Sequence, residues 1–305
     1  MSDQTSKCAV AAKSYSFTAM ASPCVLHFSQ QDCERLGDEA LESIAQKVEA
    51  EVKRIEYKYS RYRDDSLLSQ INDYHTVQLD EETSHLINYA DIAFNMSDGL
   101  FDITSGVLRE IWDFKKEVIP NQSDINLIKR YIGWEKISVD LTDNQFYLPE
   151  NMQIDFGGFG KEYAADQAAD IARQEGIQSA LIDLGGDIVV VGNNNTPSWN
   201  IGIRNPQQPE QALASIQLQS GAIATSGHYE RFFIKDGKRY CHILNPHTAF
   251  PVDYWASISC IAERCLVAGT LSTIAMLKES EAKGWLKDQD IQFLLIDLAN
   301  NIISQ

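Results

Sequence analysis

The chain has 305 residues, 44% hydrophobic and 23% charged, which is enough to bury a large core in one big domain or two lobes. Its formal net charge of −17 argues against a nucleic acid or an anionic membrane as partner, because both require positive surface. A phosphate-bearing ligand would therefore need basic side chains concentrated at its site, or a metal ion.

Cysteine usage and the chain ends bear on location. The six cysteines show no CxxC spacing, and we interpret them as reduced thiols of a cytoplasmic protein. The N-terminal residues lack a basic segment followed by an apolar one, so no secretory signal is expected. No apolar run approaches the ~20 residues that a membrane helix needs.

The predicted elements of the first third begin after a loose tail, residues 1–15. Alternation over 16–28 predicts a strand. Apolar residues that recur every three or four positions over 38–55 predict a helix, and a second helix is predicted over 82–97. A turn then leads into an aromatic-bearing helix within 99–114.

The remaining elements alternate strands with turns. A buried strand, 177–192, is interrupted by Gly185-Gly186, a helix is predicted over 264–277, and the chain closes with a hairpin-like segment, 291–305. This mixture of helices and many strands is typical of an α+β or mixed α/β fold and lacks regular βαβ units.

A glycine turn lies at the centre of the chain, in the sequence IDFGGFGKEYAAD that starts at Ile154. We interpret it as a strand end, a turn, and a helix that begins near Lys161. Glycines let the backbone approach a ligand, and the free N–H groups of a helix start favour anions. Lys161 adds a point charge suited to phosphate. On these residues alone, a turn that only reverses the chain is an equally good interpretation.

Eight motifs in order over 17–277 resemble the FAD:protein FMN transferases, or ApbE-type flavin transferases. They are AMASPC, YSRYRDDSLLSQIN, FDITSGVLREIWDF, IDFGGFGKEYAAD, LIDLGGD, IATSGHYERFF, YCHILNPHTAFP and VAGTLSTIAML. The resemblance implies a bilobed α+β enzyme, similar to the tunnelling fold, in which 16–305 form one domain and FAD lies between two lobes. Such enzymes transfer FMN from FAD to a threonine or serine hydroxyl of an acceptor flavoprotein and release AMP.

The resemblance also assigns roles to individual residues. Asp102 is alternatively a cap for the following turn, and Met20 a core residue. Asp183 stands where relatives have asparagine, and His228 is more simply structural than catalytic. The residues implied to contact FAD or line its site are Met20, Tyr62, Leu100, Phe101, Asp102, Asp155, Lys161, Thr225, Ser226 and Ile243.

His242 is the candidate catalytic base. It occupies the position of the family's histidine, and an imidazole that titrates near neutral pH suits proton removal from an attacking alcohol. Ile243 would pack on the flavin or the adenine.

The predicted magnesium site departs from the family pattern. The resemblance assigns the ion to the carbonyl of Gly158 and to Thr273, together with an aspartate four residues before the threonine, where this chain has Gly269. Only neutral oxygens would then remain, which weakens the site. Asp155, Glu263 or the FAD phosphates could hold the ion instead, and an aspartate at position 269 should raise magnesium-dependent activity. Glu162 and Ala21 are further departures, since relatives have glycine at both positions.

Three hypotheses follow. The first is an active flavin transferase, and the second is a non-catalytic FAD-binding relative with a degraded magnesium site. The third is a globular α+β protein without flavin. No acceptor motif is visible within the chain, so we expect a separate, cytoplasmic acceptor flavoprotein and no self-flavinylation.

Overall fold

The computed structural model of the protein describes residues 11–140 and 143–305. Its strands in chain order are β1 (Ala11–Ala19), β2 (Ser22–Ser29), β3 (Thr76–Gln78), β4 (Ser138–Asp140), β5 (Gln145–Tyr147), β6 (Ala180–Leu184), β7 (Asp187–Val191), β8 (Trp199–Arg204), β9 (Ala212–Leu218), β10 (Gly221–Gly227), β11 (Phe232–Lys235), β12 (Lys238–Cys241), β13 (Trp255–Ala262), β14 (Gln292–Asp297) and β15 (Ile302–Ser304).

The helices in the same residues are α1 (Gln30–Leu36), α2 (Asp38–Lys58), α3 (Leu67–Tyr74), α4 (Glu81–Met96), α5 (Gln122–Ile128), α6 (Gly160–Gln174), α7 (Cys265–Lys278) and α8 (Ala282–Asp288). Short 3₁₀ helices cover Ile103–Glu110, Lys129–Tyr131, Trp134–Lys136 and Glu279–Glu281. No helix in the described part of the chain is long and apolar enough to cross a membrane.

An eight-stranded antiparallel sheet forms the centre, in the order β1-β2-β6-β7-β10-β13-β14-β15. Helices α2, α6 and α7 pack together and cover one face of the sheet with the largest hydrophobic core. On the other face, Trp199, Ile201 and Ile203 of the β8–β9 hairpin pack against the sheet in a second core. The mixed α/β architecture agrees with the predicted fold class, whereas the division into two lobes stays a prediction.

Helix α2 shows why the helix predictions succeeded. Its apolar residues at spacings of three and four, from Leu41 to Ile55, all face the core and are buried. The helices predicted over 82–97 and 264–277 correspond to α4 and α7, each shifted by one residue. The interrupted strand 177–192 is the β6–β7 hairpin, and the final segment is the β14–β15 hairpin.

The N-terminal prediction was wrong in two respects. The predicted tail, 1–15, is too long, because β1 begins at Ala11, while residues 1–10 lie outside the described part. The single strand over 16–28 is instead a hairpin, with Ala19 paired to Ser22 across a two-residue turn. Met20 and Ala21 form this turn with φ of 51° and 56°, as a type I′ turn requires. Glycine adopts such angles without strain, which accounts for the glycine that the family resemblance implies at position 21.

Two further local predictions were wrong. Ile154 does not end a strand: its N–H donates to Asn72 Oδ1 and its carbonyl accepts from Asn72 Nδ2, so a side chain replaces a partner strand. The aromatic-bearing helix within 99–114 is the 3₁₀ helix Ile103–Glu110, which Asp102 caps.

Candidate functional site

A cleft of about 840 Å³ lies beside the glycine turn, between the start of α6 and the ends of strands β6, β7 and β10. This is the size of many cofactor sites. The structure brings all thirteen residues predicted for FAD, metal or catalysis to its wall: Met20, Tyr62, Leu100, Phe101, Asp102, Asp155, Gly158, Lys161, Thr225, Ser226, His242, Ile243 and Thr273. They come from many separate elements, so only the folded chain assembles them.

The charges of the cleft are close to balanced. Five basic and seven acidic side chains line it, so its wall carries no positive excess. Basic groups are therefore gathered at the site, as a phosphate ligand demands, but most already face a carboxylate. An anionic ligand would have to compete with those carboxylates or bring a cation.

Asp155 illustrates this pairing. Its Oδ2 lies 2.5 Å from Arg61 Nη1 and 3.4 Å from Arg109 Nη1, and its Oδ1 accepts the N–H of Gly157. Burial opposes ionisation, but the charges of Arg109 and Arg61 outweigh it and lower the pKa of Asp155. A cation at Asp155 would lie beside two guanidinium groups, which makes this residue an unfavourable choice for the magnesium ligand that the sequence suggested.

The glycine turn is tightly packed against the cleft wall. A Cβ at Gly158 would lie 3.0 Å from Phe101 Cζ, and one at Gly157 would lie 2.8 Å from Asp155 Oδ1. Helix α6 then starts at Gly160 after Phe159, with no side-chain cap. The glycines thus permit close packing, and the helix start presents uncapped N–H groups beside the cleft, as predicted for an anion site.

Lys161 projects from the first turn of α6 and is held by Asp187, with 2.8 Å between Nζ and Oδ2. Burial opposes its charge, but Asp187 and Glu162 raise the pKa of Lys161. Asp187 itself follows the double-glycine turn of the β6–β7 hairpin, where Asp183 Oδ1 accepts the N–H of Gly186. Asp183 therefore has a structural role in this turn.

Hydroxyl groups of β10 and α7 form a cluster at the base of the cleft. Ser226 Oγ lies 2.8 Å from Ser272 Oγ and 2.9 Å from Thr273 Oγ1. Thr225 Oγ1 lies 2.7 Å from Ser259 Oγ on the neighbouring strand β13. A residue predicted to hold FAD, Ser226, is thus in direct contact with one predicted to hold the metal, Thr273.

Glu162 occupies the space in front of Gly269. It is only 8% exposed, and its Oε2 has no hydrogen-bond partner among the described residues. A Cβ on Gly269 would lie 2.7 Å from Glu162 Oε1 and 2.9 Å from its Cδ, closer than non-bonded atoms approach. Burial, with a further contribution from Asp187, raises the pKa of Glu162. The expectation that an aspartate at position 269 would raise activity changes accordingly, because that volume is already filled.

The other carboxylate suggested as a magnesium ligand, Glu263, is not at the site. It follows Ala262, which pairs with Ala222 at the end of β10 away from the cleft, and it lines a separate surface depression. The structure therefore does not bring Glu263 to the predicted metal residues.

His242 is half-buried and anchored to one carbonyl. Its main-chain N–H donates to the carbonyl oxygen of Arg231 at 2.9 Å, and its Nδ1 lies 3.3 Å from the same oxygen. An Nδ1–H donor in this geometry leaves Nε2 as the free base. Burial, and then the charge of Arg109, lower the pKa of His242 to about 4, so the imidazole is neutral at pH 7. The expectation that this histidine titrates near neutral pH was therefore wrong, and its imidazole is a weaker base than a free one.

For the remaining candidates the structure supports the simpler interpretations as well. Asp102 caps the 3₁₀ helix through the N–H of Thr104 and also accepts from Trp134 N, so the capping role is present. Met20 packs partly on the main core while it lines the cleft. His228 lies outside the cleft wall, against the Tyr229 ring, in agreement with a structural role.

Sequence reasoning missed four charged residues that organise the cleft: Arg61, Arg109, Glu162 and Asp187. All four lie inside motifs that were already singled out, at YSRYR, VLREIW, GKEYAAD and LGGD. Spacing could not find them, because their partners are distant in sequence. Glu162 had been noted only as a departure from the family pattern.

An uncapped helix start, glycine-lined backbone and basic groups held by carboxylates around a deep cleft are features typical of α+β proteins that bind phosphate-bearing organic ligands. The chain belongs to the ApbE family, whose sequence profile matches residues 20–295. A FAD:protein FMN transferase of Klebsiella pneumoniae is 32% identical over 247 residues, which are 79% of this chain and 74% of the relative. One from Escherichia coli K12 is 28% identical and covers 83% of this chain and 76% of the relative.

Solved structures agree on the fold. The ApbE protein of Thermotoga maritima superposes with a TM-score of 0.85 at 30% identity and covers 96% of both chains. The apo flavinyl transferase ApbE of Pseudomonas stutzeri gives a TM-score of 0.82 at 23% identity, over 96% of this chain and 93% of the other. The family assignment that the motifs suggested is confirmed.

Proposed function

We propose that this protein is a FAD:protein FMN transferase, which moves FMN from FAD to a threonine or serine hydroxyl of an acceptor flavoprotein and releases AMP. The observation that carries the proposal is convergence: thirteen residues spread from Met20 to Thr273 all line one cleft of cofactor size. The names of the curated relatives support the same activity.

The transfer is a displacement at phosphorus. The acceptor hydroxyl oxygen forms a bond to the phosphorus of the FMN half, the bond from that phosphorus to the bridging oxygen breaks, and AMP leaves with the bridging oxygen. His242 Nε2 takes the hydroxyl proton, which a neutral imidazole can accept. Positioning and charge neutralisation provide most of the catalysis in such reactions.

The basic residues of the cleft have a defined task in this proposal. Asp155 holds Arg61 and Arg109 in fixed positions, and Asp187 does the same for Lys161. Groups held in this way need little rearrangement when charge develops on the phosphoryl oxygens, which is the condition for electrostatic catalysis. Tyr62, 78% exposed at the cleft edge, is placed to cover a flat ring.

We also propose that Mg²⁺ binds with FAD, through the carbonyl of Gly158 and the hydroxyl of Thr273. The ion, when bound, would neutralise charge on the pyrophosphate. The described residues contain no cluster of three or more His, Cys, Asp or Glu side chains able to hold a metal. Neutral oxygens must then provide most ligands, which suits Mg²⁺ better than a transition metal.

The proposed partners follow from charge and thiol state. A net charge of −17 supports a protein acceptor and argues against nucleic acid or membrane as partner. The described cysteines are all free thiols, which supports a cytoplasmic location. Covalent flavin on proteins of a cytoplasmic extract, and not of an exported fraction, would test this location.

The test of function is AMP release from FAD in the presence of a threonine-bearing acceptor peptide, with covalent flavin on the peptide measured by mass spectrometry. We expect both products in equal amounts, and neither with a peptide in which alanine replaces the threonine. FAD binding without AMP under any divalent metal would instead favour the non-catalytic alternative, for which Gly269 is the supporting observation.

A further inference from the structure

Helices α6 and α7 are fixed against each other by their side chains. Asp166 accepts the N–H groups of Cys265 and Leu266 at 2.9 Å each, and thereby caps the start of α7. One turn earlier on α6, Glu162 meets Gly269, one turn later on α7. The two helices therefore run in opposite directions, and the carboxylate of Glu162, in the first turn of α6, lies against α7 at Gly269.

Glu162 is buried in a position suited to binding a cation. Its side chain lines the cleft, is more than nine-tenths buried, and retains one oxygen with no hydrogen-bond partner among the described residues. Leaving a buried carboxylate oxygen unsatisfied is costly, and native structures normally provide a donor, a water or an ion. Glycine at position 269 leaves room for Glu162 in this conformation, since a Cβ there would overlap the glutamate side chain.

We propose that Glu162 is the charged ligand of the cation site in this chain. Its carboxylate comes from α6 and occupies the space that a side chain at position 269 of α7 would otherwise fill. Glycine at position 269 then makes room for the Glu162 side chain, and the site keeps a charged ligand. The inference rests on the proposed function, because the cation serves the FAD pyrophosphate.

The neighbours of Glu162 suit a hard cation. Thr273 lies one turn beyond Gly269 on the same face of α7, and its hydroxyl belongs to the cluster with Ser226 and Ser272. One carboxylate with hydroxyl and carbonyl oxygens is the ligand chemistry that Mg²⁺ accepts, with water or substrate phosphates completing its shell. Lys161, the residue before Glu162 on α6, is paired with Asp187.

Mn²⁺, a magnetic substitute for Mg²⁺, provides a readout that does not depend on activity. We would titrate Mn²⁺ into the protein by electron paramagnetic resonance, with and without FAD, and measure FAD binding separately by fluorescence quenching. Glu162→Gln should weaken Mn²⁺ binding at least about tenfold, since even outer-shell partners are worth about 10–100-fold in metal affinity. Glu263→Gln, the same change outside the cleft, should leave Mn²⁺ affinity unchanged.

A relocation experiment tests the shared volume. Gly269→Asp alone should lower both the melting temperature and Mn²⁺ affinity, because two carboxylates would compete for one space. The double variant Glu162→Gly with Gly269→Asp returns a carboxylate from α7 and should restore Mn²⁺ binding to within a few-fold of the parent protein. Restoration by a second substitution cannot come from a merely structural role of Glu162.

The outcomes separate this inference from the proposed function. Unchanged Mn²⁺ affinity in Glu162→Gln, or failure of a folded double variant to recover it, would overturn the inference while FAD binding and transfer stand. Absence of Mn²⁺ binding by the parent protein with FAD bound would overturn it as well. Absence of FAD binding would overturn the proposed function, whatever the manganese result.

Discussion

Asp155 and Glu162 are both buried carboxylates of the same cleft, seven positions apart, yet their surroundings differ completely. Asp155 has a guanidinium on one oxygen and a backbone N–H on the other, and its pKa is lowered. Glu162 faces Gly269, one of its oxygens has no partner within residues 11–140 and 143–305, and its pKa is raised. Burial alone therefore does not decide whether a carboxylate is charged; the group opposite does.

The difference also separates two tasks. A carboxylate that faces two guanidinium groups orients those partners, and their positive charge disfavours a cation beside it. A carboxylate with an open oxygen can accept a ligand, at the cost of staying unsatisfied until the ligand arrives. The charge of the cleft is thus divided between an orienting half around Asp155 and a receiving half around Glu162.

The largest expected effect is on the orienting half. Asp155→Asn leaves Arg61 and Arg109 close together without their counter-charge, and breaking a buried ion pair from one side costs about 3–5 kcal/mol. We expect a loss of this size in the free energy of unfolding, measured by urea denaturation. FAD binding should also weaken, because the loss of the positions in which Asp155 holds Arg61 and Arg109 outweighs the removal of a competing negative charge. Asp65→Asn, which removes an exposed partner of Arg63, should cause no measurable loss.

The charges of both halves act on His242, because Arg109 and Lys161 each lower its pKa. His242→Gln should reduce the rate of FMN transfer about 100- to 10,000-fold, the usual contribution of a general base. FAD affinity should change little, since the imidazole is neutral at pH 7. The measurement is single-turnover AMP release at saturating FAD. His247→Gln, an exposed histidine of the same loop region, serves as control, and an equal rate loss there would contradict the assignment.

Alanine substitution of two helical glycines should change the free energy of unfolding in opposite directions, and this comparison tests the packing of the receiving half. Gly269→Ala should destabilise the protein by about 1 kcal/mol or more, because crowding of Glu162 outweighs the gain in helix propensity. Gly284→Ala, in α8 with open space around it, should stabilise by up to about 1 kcal/mol. Urea denaturation of both variants gives the signs, and a stabilised Gly269→Ala would contradict the close contact.

A last effect concerns pH and a histidine, His228, that lies outside both halves. Burial lowers the pKa of His228 from 6.5 to about 4 in the folded chain. Between these values the unfolded chain binds more protons, so stability should decrease as the pH falls from 6.5 towards 4. His228→Phe keeps an aromatic ring against Tyr229 and should lose less stability across that window. Equal pH slopes for the variant and the parent protein would rule out this contribution.

Local patterns predicted the helices well. The apolar spacing in α2 depends on neighbours three and four residues apart, which a sequence displays directly. The prediction of a strand at Ile154 was wrong because the side chain of Asn72 makes the hydrogen bonds that a partner strand would make. No local sequence pattern reveals this. The family motifs led to the cleft residues, since motifs carry positions that only the fold unites.

The contact between Glu162 and Gly269 in the receiving half could not be predicted from the sequence, for a physical reason. Gly269 looked like a loss because spacing within α7 relates it to Thr273 alone. Its true neighbour, Glu162, lies on another helix, and the contact depends on the antiparallel packing that Asp166 fixes. Each residue by itself seemed to depart from the family pattern, and only their shared volume shows that the two departures belong together.

The close approach at Gly269 also restricts how such a chain can change over generations. Positions 162 and 269 can hold one side chain between them, so a lineage that moves the carboxylate from one helix to the other must pass through a crowded pair or an empty one. Both intermediates are handicapped, and the two residues should be inherited as a unit. A search that scores each position independently would count two losses in this protein, whereas our proposal makes them one exchange of a carboxylate between two helices.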